Sequence, residues 1–185
     1  MFSCNVYPGD PEPALYELQS MDGGELYNLS AFSMCAHNGT HVDAPAHFIK
    51  DGKRIHQIEL ESFVGDCYVV RHQGEVTEAD AQKILEKAEC AGAKERILLA
   101  GKLVVTAEAA EVFARAKIKL LGNESQSVGP EDAPMAVHLI LLRAEVVLLE
   151  GIVLDGVEEG KYFLSAAPLN LKACEGAPCR AFLIK

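Results

Sequence analysis

The sequence predicts an α/β protein in which helices flank a mixed sheet. Three observations predict it. Between residues 64 and 121, apolar runs of strand length alternate with two segments of helical period. The first and last thirds are instead rich in short strand-like runs broken by Gly and Pro. The chain has 185 residues, 49% hydrophobic and 24% charged, enough for one buried core of ordinary globular composition. A strand–helix–strand–helix–strand order argues for parallel pairing through crossovers in the middle of the sheet. No repeat, low-complexity tract or long linker interrupts the chain, so a single domain over 1–185 is expected.

Taken in order, Tyr7-Pro8-Gly9-Asp10-Pro11 demands a fixed turn with Tyr7 at its head. Residues 14–18 and 25–32 read as strands joined by Met21-Asp22-Gly23-Gly24, a hairpin signal. Residues 49–53 form a polar turn, and 55–60 are short and mixed. Residues 64–70 read as a buried strand. Residues 77–91 read as a helix, with Thr77 and Asp80 placed as a capping box, Ala81, Ile84, Leu85 and Ala88 as its apolar stripe and Gly92 as its stop. Strand 96–100 follows, then helix 107–117 capped by Thr106, then strand 118–121.

Residues 122–130 are polar and small, at a strand end where α/β proteins place ligand contacts. Glu124 stands there, either as a substrate or ligand-orienting group or as an exposed loop acid. Residues 134–144 read as a short helix carrying His138. Residues 146–154 are an apolar strand with Glu150 inside it. A bare carboxylate there costs on the order of several kcal/mol unless paired or bound to a metal, so Glu150 needs a partner, either a basic side chain such as Arg143 or a cation. Strands 162–168 and 179–183 close the chain, joined by a tight turn at 175–178.

Composition excludes several functions. A net charge of −10 offers no basic face to nucleic acid and no polybasic anchor to a membrane. No apolar run approaches a membrane span. The opening MFSCNVYPGDPEP has neither the basic nor the apolar region of a secretory signal. The six cysteines, none in C-x-x-C spacing, read as reduced packed thiols, and a cytoplasmic location is expected. Cys35 alone is notable, two residues before His37. His56 and His72 lie outside any cluster and read as surface histidines. No Gly-x-Ser-x-Gly elbow is present, which argues against a serine hydrolase.

The chemistry concentrates in residues 36–48, AHNGTHVDAPAHF, which hold three of the six histidines and a carboxylate. Gly39 and Pro45 disfavour a helix. In extended chain alternate side chains share a face, and His37, His41, Asp43 and His47 all carry odd numbers. Imidazole and carboxylate together suit zinc, manganese or iron rather than calcium. The segment is not the zinc-protease HExxH, because no glutamate follows the first histidine.

The pattern His-x-Gly-Thr-His-x-Asp-x-Pro-x-His over 37–47 resembles the signature of the cyclase-like metal-dependent hydrolases, which include bacterial kynurenine formamidases and isatin hydrolases. Tyr7-Pro8-Gly9-Asp10, the His138/Glu150 pair and Gly176-Ala177-Pro178-x-Arg180 are similar to other parts of that family. The resemblance implies a swivelling β/β/α fold and a homodimer or higher homo-oligomer. It implies that His37, His41 and Asp43 hold one divalent ion, zinc first and manganese second. Asp43, His138 and Glu150 would hold another, His47 would transfer protons, and Tyr7 would line a small-molecule pocket. The implied activity is hydrolysis of an amide or cyclic amide, with N-formylkynurenine the leading substrate. The competing expectation is a metal-stabilised binding protein without catalysis.

Overall fold

The computed structural model describes residues 3–130 and 133–185. Met1 and Phe2 of the opening stretch discussed above lie outside the described residues. Twelve strands and three helices are found among them. The strands are β1 (Ala14–Gln19), β2 (Leu29–Ser33), β3 (His41–Asp43), β4 (Val64–Arg71), β5 (Gly74–Val76), β6 (Arg96–Ala100), β7 (Leu103–Val105), β8 (Leu120–Asn123), β9 (Val147–Glu150), β10 (Gly160–Ser165), β11 (Gly176–Pro178) and β12 (Phe182–Ile184). The helices are α1 (Glu78–Cys90), α2 (Ala107–Arg115) and α3 (Met135–Arg143).

Eight strands form one mixed sheet in the order β11-β3-β9-β8-β6-β4-β10-β12. Its centre, β4, β6, β8 and β9, is parallel. Both flanks are antiparallel. Each helix connects two neighbouring parallel strands, always stepping the same way along the sheet. Right-handed crossovers then put all three helices on one face, where α1 packs on α2 and α2 on α3. Strand alternation divides the core accordingly. Ile97 and Leu99 of β6 pack towards the helices, while Leu98 and Ala100 pack with Phe63, Val69 and Leu164 on the other face.

The sequence signals for the helices act as expected. The Thr77 hydroxyl accepts from the Asp80 amide, and Asp80 accepts in return from the Thr77 N–H. Thr106 caps α2 through the Ala109 amide. The buried residues of α1 are Ala81, Ile84, Leu85 and Ala88.

Four local expectations change. The tight turn expected at 175–178 is strand β11, which pairs with β3 through Gly176↔Asp43 and Pro178↔His41. The apolar strand expected over 146–154 stops at Glu150, because Gly151 turns the chain with φ +65°. The short strands β5 and β7 pair in a separate two-stranded sheet that periodicity did not reveal. Only His41–Asp43 of the motif is strand: Gly39 takes φ +65° before it, and Pro45 opens a 3-10 turn over Pro45–His47 after it.

Candidate metal centre

β3 is three residues long and buried throughout. Val42 lies opposite Leu149 of β9, and both side chains enter the core away from the helices. His41, directly opposite Glu150, and Asp43 therefore point to the other side. α3 covers that side and lowers His138 towards them. His37 arrives from the turn before β3, close over β11: a Cβ at Gly176 would lie 2.6 Å from its Cε1. Glycine at 176 thus leaves room for the imidazole.

The structure brings His37, His41, Asp43, His138 and Glu150 into one cluster. Donor atoms of His37, His41 and Asp43 lie within 4.8 Å of one another, and so do those of Asp43, His138 and Glu150. Asp43 belongs to both trios and is fully buried. His37 Nδ1 lies 2.8 Å from Asp43 Oδ1. His41 Nε2 lies 3.4 Å from Asp43 Oδ1 and 3.5 Å from Glu150 Oε2. His138 Nε2 lies 3.3 Å from Glu150 Oε1 and 3.7 Å from Asp43 Oδ2. The outer ring nitrogens are fixed: His41 Nδ1 faces the Gly39 carbonyl at 2.8 Å, and His138 Nδ1 the Pro134 carbonyl at 2.9 Å. Each carbonyl requires an N–H there, which leaves Nε2 with its lone pair towards the cluster.

This donor set fits a divalent cation. Asp43 Oδ2 and His37 Nε2 are buried without hydrogen-bond partners, a costly condition unless something is bound. Separations of 3.3–3.5 Å are long for charge-assisted hydrogen bonds. They are close to the ~3.4 Å edge of a tetrahedron whose metal–ligand bonds are ~2.1 Å.

Charge points the same way. Burial alone would push the imidazoles of His37, His41 and His138 down, but neighbouring carboxylates outweigh it, Asp43 and Glu175 at His37 and Asp43 and Glu150 at His41 and His138, and hold all three up, His41 to about 10. Burial would raise Asp43, yet His37 and His41 hold it well below the usual carboxylate range. Protons therefore supply the positive charge when no cation does, and a cation must displace them. Affinity for a divalent cation is expected to rise with pH up to about 10, and loading near neutrality should release protons, read with an indicator dye in weak buffer. Because His41 is raised above its ordinary 6.5, its contribution to metal-free stability is complete below 6.5 and is lost as pH rises to about 10. The melting temperature of chelated protein should fall across that window.

His47 stands beside the cluster, its Nε2 3.9 Å from Asp43 Oδ2. Its ring stacks on His37 with centroids 4.1 Å apart and meets Phe48 edge-on. Burial pushes it below the usual imidazole value, which keeps it neutral at neutral pH. These groups, with Tyr7, line a cavity of about 270 Å³.

Glu124 is elsewhere. Its carboxylate accepts from the Gly101 and Leu154 amides at 2.7 and 2.8 Å, and it borders a separate cleft. It ties together the ends of three strands and does not face the histidines. Glu124→Ala is expected to cost about 1–3 kcal/mol by stranding two amides, with metal content unchanged, as thermal melts and elemental analysis would show. The same loop does reach the cavity through Gln126 and Ser127, whose Oε1 and Oγ are buried and unpartnered. Sequence reasoning picked the carboxylate of that loop and missed its neutral groups. His56 accepts from the distant Ala173 amide through Nδ1 at 3.2 Å and His72 Nε2 meets the nearby Glu75 carbonyl at 2.8 Å, and neither belongs to the cluster.

A mixed α/β sheet carrying two carboxylate–histidine trios around a shared aspartate defines a protein with a candidate metal centre. Comparison with known proteins agrees with that class. Residues 3–130 match the family model described as "Putative cyclase", and the chain belongs to that family. It is 34% identical over 193 residues to a kynurenine formamidase of Erythrobacter litoralis, covering 96% of this chain and 87% of the relative. A solved structure described as a potential metal-dependent hydrolase with cyclase activity superimposes with TM-score 0.81 at 26% identity, over 99% of this chain and 92% of the other. Isatin hydrolase A of Labrenzia aggregata shares the fold at TM-score 0.78 and 23% identity, over 97% and 87%.

Proposed function

We propose that this metal-dependent amidohydrolase cleaves the N-formyl amide of N-formylkynurenine, giving kynurenine and formate. The observation that carries the reading is Asp43, buried and shared by both trios, in a chain 34% identical to a kynurenine formamidase across nearly its whole length. His37, His41 and Asp43 would hold one ion, and Asp43, His138 and Glu150 a second, with zinc the first choice and manganese the next. A cation held there supplies Lewis acidity towards a carbonyl oxygen and towards water.

The rest is the chain's own work. His47, neutral because it is buried, takes a proton from the attacking water and returns it to the leaving nitrogen. Tyr7 and Phe48 flank the cavity and offer faces to an aromatic amine. Ser127 and Gln126 offer polar atoms to its substituents. A volume of about 270 Å³ lies just below the usual range of ligand sites, which suits a small metabolite rather than a peptide. The protein would act in the cytoplasm as a homo-oligomer. Among the described residues no helix is long and apolar enough to cross a membrane.

Purified protein supplied with zinc or manganese is expected to convert N-formylkynurenine to kynurenine, followed by absorbance. Chelation should abolish the conversion and either metal should restore it. Metal-replete protein without turnover on that compound would remove it as the substrate.

A further inference from the structure

Two of the three clustered histidines have an acceptor at the outer ring nitrogen: the Gly39 carbonyl at His41 Nδ1, 2.8 Å away, and the Pro134 carbonyl at His138 Nδ1, 2.9 Å away. His37 is turned the other way. Its Nδ1 faces the cluster, 2.8 Å from Asp43 Oδ1, so Nε2 is its outer nitrogen. Among the described residues that buried atom has no hydrogen-bond partner. A ligating imidazole almost always gives its outer N–H to a carboxylate, a carbonyl or water, which fixes the tautomer and the ring.

One carboxylate stands at that nitrogen. Glu175 Oε1 lies 3.5 Å from His37 Nε2, just beyond hydrogen-bond length. The main chain puts it there. The Glu175 carbonyl accepts from the Ala44 amide at 2.8 Å, which ties its backbone to the 37–47 motif. Gly176, the next residue, lies opposite Asp43 and so near the ring that a Cβ would come within 2.6 Å of His37 Cε1. His47 stacks on the same ring with centroids 4.1 Å apart. The imidazole is thus packed in place, with 13% of its side chain exposed against 41% for Glu175. The carboxylate is the partner free to turn, and closing the contact takes roughly half an ångström. Among the described residues Glu175 makes no other ion pair that would hold it away.

We infer that Glu175 is the positioning residue of His37. Its carboxylate accepts the Nε2–H, which leaves the Nδ1 lone pair towards the cluster and makes the imidazole a stronger donor to a cation. Glu175 belongs to neither trio and does not line the cavity, so it acts only through His37. The inference rests on the metal-centre reading of His37 in the proposed function and deepens it.

Cobalt(II) added to the metal-free full chain tests it, with binding read from visible absorption against a competing chelator. Glu175→Ala is expected to weaken binding by about 10- to 100-fold, the usual cost of losing such a partner. Glu175→Gln, whose amide oxygen still accepts an N–H, should lose far less. The proton spectrum of the cobalt-loaded parent should contain a paramagnetically shifted, exchangeable ring N–H from His37. That signal should be lost to water exchange in Glu175→Ala and kept in Glu175→Gln. The Glu175 side chain is partly exposed, and circular dichroism checks that both variants are folded. Parent-like affinity in Glu175→Ala would overturn the inference, as would equal weakening in the two variants. A parent that binds no cobalt would overturn the metal centre itself, so the two failures are distinct.

Discussion

Asp43→Asn is expected to empty the metal centre and lower turnover by on the order of 1,000-fold or more, since the chemistry depends on the cation's Lewis acidity. Asparagine keeps the volume but removes the charge, and puts an N–H donor where a cation would need an acceptor. Asp43 contributes to both trios, so one substitution weakens both, whereas a change at His37 or Glu150 weakens one. The metal-free variant also leaves His41 and its neighbours with one carboxylate fewer, and breaking a buried ion pair from one side costs about 3–5 kcal/mol. Elemental analysis, a turnover assay and a thermal melt read the three effects. Full metal occupancy in the variant would show that Asp43 is not a ligand.

His47→Gln should separate chemistry from binding. His47 belongs to neither trio, so metal content is expected to stay at the parent level. The rate should fall by roughly 100- to 10,000-fold, the usual contribution of a positioned acid–base group. The sign of the pH dependence follows from burial, which pushes His47 below its ordinary 6.5. A general base must be unprotonated, so kcat of the parent should rise through a pKa under 6.5 and be level above it. That limb should vanish in the variant. A parent-like rate with the limb intact would remove His47 from the mechanism.

Much of this was legible in the residues. Strand β6 and the buried face of α1 were marked by apolar period, and the two threonine caps by chemistry that acts within a single turn. The 37–47 motif pointed to its cluster because imidazoles and a carboxylate at that density have few other uses. Glu150 announced itself as a charge inside an apolar run. What the sequence hid was long-range. β11 reads as a turn because Gly176-Ala177-Pro178 has no strand propensity of its own, and it is a strand only because β3 pairs with it. Gln126 and Ser127 were passed over for Glu124 because a loop's sequence does not say which of its side chains face inward.

The division of the cluster between β3 and the α3–β9 unit bears on how the protein is made. His37, His41 and Asp43 leave the ribosome early, whereas Glu150 follows about a hundred residues later. Chains fold from the amino end as they are synthesised, but β3 has no sheet neighbour until β9 and β11 exist. A cation met by the nascent chain would find three donors on an unpaired segment, without the carboxylate and imidazole that complete the second trio. The complete donor set of both trios thus exists only in the finished chain.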